Sequence, residues 1–181
     1  MSTSRLRARL DRLERSRSTA VADPLGFNID LTLAKSLRDD DDRMYWLGHD
    51  LDTKKPMSVD ERADIMKERE RISASIRERA KTITCPAGYG VVQAHEDNKR
   101  TTWLWNKRKW GDGLTDAEDA EEAQLKARVY AFSESPEGRA RCRMFNLMIK
   151  GFLPHRLSAA EQEELDRLQA MYPDRRRAPP C

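Results

Sequence analysis

Cysteine is scarce in this chain, and long apolar runs are missing altogether. The three cysteines, Cys85, Cys142 and Cys181, lie far apart, and no two are spaced as CxxC. A disulfide framework or a closed zinc site needs more than this, so the count points to a reducing compartment and to no metal. No apolar stretch approaches the roughly 18 residues that read as a membrane-spanning helix, which predicts no membrane association. The N-terminus lacks the apolar core of a secretion signal. Residues 1–18 are rich in Arg and Ser, as organellar transit peptides are, but Asp11 and Glu14 interrupt them. A cytoplasmic location is the expectation. Enzyme signatures are also missing. There is no GxGxxG, no GxxxxGK[ST] phosphate loop and no GxSxG elbow; Gly88-Tyr89-Gly90 and Gly111-Asp112-Gly113 are glycine turns without the rest of such motifs. The chain is therefore expected to carry no catalytic residues and no cofactor.

Charge is abundant instead. Hydrophobic residues make up 38% and charged residues 36% of the chain, against about 45–50% and about 25% in an average soluble domain. A core built from that composition is small for 181 residues. The net charge of +3 is too small by itself to name a nucleic-acid or membrane partner. Any such argument rests on local clustering.

At the N-terminus, Leu6, Leu10 and Leu13 are spaced four and three apart and share one helical face. The other faces are nearly all charged, with six arginines between Arg5 and Arg17. Such a narrow stripe resembles a coiled-coil seam. A helix this short is marginal alone, so residues 1–20 are expected to form an amphipathic arm that needs a partner surface. Asp23-Pro24-Leu25-Gly26 reads as a turn and boundary. Residues 24–172 are expected to form a single, mainly helical domain, and residues 173–181, with three arginines and three prolines, a disordered tail.

Within the domain the pattern predicts five or six helices. Short ones are expected over 31–38 and 43–47, with Asp39-Asp40-Asp41-Asp42 as a solvated cap between them and Gly48 as a stop. Three segments repeat the same start: Ser58 with Glu61, Thr115 with Glu118, and Ser158 with Glu161, each after an apolar residue. This is the capping box, in which hydroxyl and carboxylate satisfy two backbone donors reciprocally. The helix from Ser58 is expected to reach about Lys81, with a seam at Ile65, Ile72, Ile76 and Ile83. The helix from Thr115 offers small residues, Ala120, Ala123 and Ala127, for close packing. Pro136 opens another helix at its first position. Met144, Phe145, Met148 and Phe152 give it the most apolar face in the chain. The last helix carries Leu165, Leu168 and Tyr172.

Residues 89–106 are the exception. Cys85-Pro86-Ala87-Gly88 is turn chemistry, and Val91-Val92 and Thr101-Thr102-Trp103-Leu104-Trp105 have strand character. They predict a small β-hairpin near 89–106; a single helix over 96–108 is the alternative. The same region holds the densest chemistry in the chain. Residues 99–110 contain three of the four tryptophans and five cations, with no acid. Lys99, Arg100, Lys107, Arg108 and Lys109 suit phosphates, and Trp103, Trp105 and Trp110 suit stacked bases, the combination that single-stranded nucleic acid calls for. The opposing consideration is the acidic run that follows, from Asp112 to Glu122, which can neutralise the cations internally. His95 and Cys85 are ligand types, but two ligands do not close a metal site.

Residues 114–123 (Leu114-Thr115-Asp116-Ala117-Glu118 onward) and 157–165 (Leu157-Ser158-Ala159-Ala160-Glu161 onward) resemble segments of small uncharacterised bacterial proteins. The resemblance covers roughly the second half of the chain; it implies a bacterial cytoplasmic setting and no activity. The sequence thus points to a non-enzymatic interaction or accessory protein that presents Leu6, Leu10 and Leu13, together with the 65–83 seam, to a protein partner or a second copy of itself. The alternative is a nucleic-acid-binding accessory protein using residues 99–110.

Overall fold

A computed structural model describes residues 25–53, 57–152 and 157–173. Among them are six α-helices and no strand: α1 (Leu31–Thr53), α2 (Val59–Ala80), α3 (Val91–Trp110), α4 (Asp116–Glu134), α5 (Pro136–Phe152) and α6 (Ala159–Met171). The arm with Leu6, Leu10 and Leu13 lies outside the described residues, as do residues 174–181 of the tail. The chain divides into two compact units, one ending at Phe132 and the other beginning at Ser133.

The expected helix starts form as read. Ser58 Oγ accepts from the Glu61 backbone N–H, and the Glu61 carboxylate accepts from the Ser58 N–H. Thr115 with Glu118, and Ser158 with Glu161, repeat the exchange. Each box satisfies donors that the first turn of a helix leaves unpaired. Ser135 Oγ accepts from Gly138 N–H at 3.1 Å, so α5 is capped by a serine and opens on Pro136. Before α3, Gly88 takes a φ of +92°, which only glycine adopts without strain. That turn lets Tyr89 N–H bond the Pro86 carbonyl at 3.2 Å.

Two expectations are corrected. The hairpin over 89–106 is absent, and the stretch is the continuous helix α3. Its buried face is Ala94, Asp97, Thr101 and Leu104, a helical spacing that contains two polar residues. Thr101 Oγ1 donates to the Asp97 carbonyl one turn back at 2.7 Å, so the β-prone threonine is satisfied inside a helix. The two short helices over 31–38 and 43–47 are one helix, α1, which runs through Asp39-Asp40-Asp41-Asp42 and Gly48. The aspartates do not break it because each meets a cation.

The first unit closes around one apolar cluster. Leu37 and Ala34 of α1 meet Ile72 and Ile76 of α2, and Ala123, Ala127 and Ala131 of α4 pack into the same cluster with Phe27, Ile83 and Tyr89. The alanines allow the α4 backbone to approach closely. Ile72, Ile76 and Ile83, expected as a partner seam, are therefore consumed by the fold's own core. Asp97 is buried beside them and accepts from Tyr89 Oη at 2.8 Å and Gln93 Nε2 at 3.0 Å, with the Arg128 guanidinium 3.4 Å away. Burial and the Asp97 charge push the Tyr89 hydroxyl far above its ordinary range. It thus stays a hydrogen-bond donor. The second unit is smaller: Leu147 of α5 packs with Leu165 and Leu168 of α6, flanked by Ala140, Met144 and Leu157.

Candidate interaction surfaces

Residues 99–110 present two faces of one helix. On the outer face, the Trp103 side chain is 50% and Trp110 71% exposed. The Arg100 guanidinium lies 4.5 Å from the Trp103 ring centroid and the Lys107 ammonium 5.7 Å, both cation–π distances. Trp105 turns the other way. Its Nε1–H donates to Asp42 at 3.0 Å, and its ring meets Tyr45 edge-on at 4.9 Å. Lys109 extends this inner cluster by covering the Trp46 ring at 5.5 Å.

Every cation of the stretch has an acid. Lys99 pairs with Glu96 at 2.7 Å, Arg100 with Glu121 at 2.9 Å and Lys107 with Glu118 at 2.6 Å. Arg108 bridges Asp42 at 2.6 Å and Glu122 at 2.9 Å, and Lys109 lies 3.6 Å from Asp42. Three of the partners come from the acidic run after residue 110. Glu122 is completely buried, so its charge depends on Arg108 for compensation. Burial opposes the Asp42 charge, but the hydrogen bond and charge of Arg108, with Lys109 and Trp105, outweigh it and hold the carboxyl below its ordinary range. Lys107 and the Thr115 N–H lower Glu118 to about 2.

The aspartate run of α1 is the centre of this network. Asp40 pairs with Arg79 of α2, Asp41 with Lys126 and Tyr130 of α4, and Asp42 with Arg108 of α3. Asp39 joins its neighbour Arg38, which reaches Asp119 of α4. Successive helical residues are rotated by about 100°, so consecutive aspartates reach different helices. The partners of Asp40, Asp41 and Asp42 lie 39 to 89 residues away along the chain, and spacing along the sequence carries no sign of them.

Cys85 Sγ lies 4.0 Å from the Tyr89 carbonyl. Among the described residues no group of three or more His, Cys, Asp or Glu side chains is placed to hold a metal ion, and no helix is long and apolar enough to cross a membrane.

Helix α5 gathers several exposed apolar side chains on one face. Ala140, Met144 and Leu147 face α6. Phe145, Met148, Ile149 and Phe152 do not, and Phe145 and Phe152 are 61% and 85% exposed. Leu147 and Ile149 lie roughly 200° apart around the helix, and the other apolar side chains fill the arc between them. The amphipathic stripe of an ordinary surface helix starts at about 100°. Arg139, Arg143, Asn146 and Lys150 make a polar strip on the opposite side, and the Glu137–Arg141 ion pair occupies the N-terminal part of the arc. The apolar character of α5 is legible in the sequence; its division into a covered and an uncovered face emerges only once α6 has taken one side. In comparisons with known proteins, the chain matches no protein family, no curated protein and no solved structure.

Proposed function

We propose that the protein is a non-enzymatic interaction protein that acts by self-association or by binding a protein partner through amphipathic helical faces. The observation that carries this reading is the double-sided apolar arc of α5. Its second helix covers one side only, and the side left in water holds two phenylalanines, a methionine and an isoleucine. Exposed apolar patches larger than a few hundred Å² mark interaction sites. Leu6, Leu10 and Leu13 supply a second stripe of the same kind by their spacing. The test is a photo-crosslinking residue placed at Phe145 in the full chain inside living cells, with one at exposed Glu163 of α6 as control. The reading expects a protein adduct from position 145 and none from 163. An absence of adducts from position 145 would overturn it.

A second reading, nucleic-acid binding through residues 99–110, is favoured by one feature: Trp103 stands half-exposed under a guanidinium, in the manner of a stacking platform. Titrating single-stranded nucleic acid against tryptophan fluorescence tests it. Saturable quenching that weakens with salt and is lost in Trp103→Ala supports this reading, and no quenching at low salt removes it.

A further inference from the structure

Resting on the reading of α5 as an interaction face, we infer that its occupant is a second copy of the same chain, with the two α5 helices packed antiparallel about a two-fold axis. The charged side chains of α5 other than Arg139 are already paired. Arg141 pairs with Glu137 at 2.8 Å, Arg143 with Glu164 at 2.8 Å and Lys150 with Glu161 at 2.6 Å. An arginine-rich segment such as residues 1–17 finds no unpaired acid there, and an acidic partner finds only Arg139. A neutral, apolar face is complementary to itself, which is what an isologous two-fold contact requires. The area is of the right order. The exposed parts of Phe145 and Phe152 together amount to roughly 300 Å², before Met148, Ile149 and the rim are added, and a standard interface takes about 800 Å² per partner. The second unit also needs another layer, because a pair of helices that fully buries only Leu147, Leu165 and Leu168 has little core.

The helix dipoles select the direction. An antiparallel pair centred near residues 148 and 149 opposes them favourably, whereas a parallel pair aligns them.

Light scattering of the full chain across concentration tests the pairing. The expected result is a mass that rises to that of two chains, and a Phe145→Ser, Phe152→Ser variant whose self-affinity is at least roughly 30-fold weaker. Direction is read with a short bismaleimide. Ile149→Cys, in a chain with Cys85, Cys142 and Cys181 changed to Ser, is expected to join two copies efficiently, whereas Cys142 as the sole cysteine is not. Preferential joining through Cys142 would overturn the antiparallel arrangement. A mass of one chain at every concentration would overturn self-pairing. The photo-crosslinks at position 145 then separate the two failures: an adduct with a different protein sinks only the second copy, and no adduct sinks the interaction face itself.

Discussion

The first unit carries Glu122 and Asp97 into its interior and pairs both with arginines, whereas the second buries three leucines and leaves four large apolar side chains of α5 exposed together. In the first, Glu122 and Asp97 are buried acids, and Arg108, Tyr89, Gln93 and Arg128 answer them. The apolar faces of α1, α2 and α4 are spent on one another. The second has its ion pairs at the periphery of α5 and α6 and spends only part of its apolar surface. Exposed apolar side chains of the first unit, Trp103 and Trp110 among them, are scattered over α1, α2 and α3, whereas four of those in the second gather on α5, the face proposed for interaction.

The comparison breaks most visibly if the buried acid is removed. Glu122→Ala leaves the Arg108 guanidinium facing Asp42 alone, and breaking a buried pair costs about 3–5 kcal/mol. Urea unfolding should show that loss, while association through α5 in the surviving folded fraction stays as in the parent. Leu147→Ala should cost the second unit about 2–5 kcal/mol, the ordinary result of emptying a leucine site. Hydrogen exchange should place that loss in α5 and α6 and leave the amides of α1 protected. Removing a cap is smaller. Ser158→Ala should destabilise α6 by about 1 kcal/mol, read from faster exchange of the amides at its start. Smallest is Ile149→Gln, a change on the exposed face, which should move the stability of the isolated chain by under about 0.5 kcal/mol. A large unfolding shift at low protein concentration would mean that this face is core, and would dissolve the distinction between the units.

Acid sharpens the same comparison. Glu118 in the first unit and Glu161 in the second both fall from an ordinary 4.5 to about 2 in the folded state, the latter through Lys150 and then the Ser158 N–H. A carboxyl lowered on folding stabilises the protein above its unfolded pKa and loses that contribution as pH falls through the folded one. Melting temperature should therefore drop between pH 4.5 and 2. Lys107→Gln should flatten that drop for the first unit and Lys150→Gln for the second.

What the sequence made legible was local. Ser58, Thr115 and Ser158 each announce a helix through a glutamate three residues later, and the structure forms all three boxes. Pro136 and the turn at Gly88 are legible for the same reason: a fixed φ or a free one leaves its mark in one or two residues. The α3 helix was hidden because the face it buries includes Asp97 and Thr101, so the 3.6-residue period of burial is not a period of hydrophobicity. Threonine and tryptophan then tipped the local preference towards a strand. The α1 helix was hidden by Asp39 to Asp42, which read as a cap until Arg79, Lys126 and Arg108 arrive from three other helices. Residues 99–110 were legible as a cluster. Their pairing with Glu118, Glu121 and Glu122 was legible only as a nearby excess of acid.

The aspartate run also makes the first unit intolerant of one kind of change. Replacing Asp40, Asp41 or Asp42 costs the tie to one helix. Deleting one residue from the run turns every side chain on one side of the gap through about 100° relative to the other, so that α2, α3 and α4 are no longer addressed together. Point substitutions in this turn are survivable errors in spelling, whereas a single-residue deletion is an error of phase.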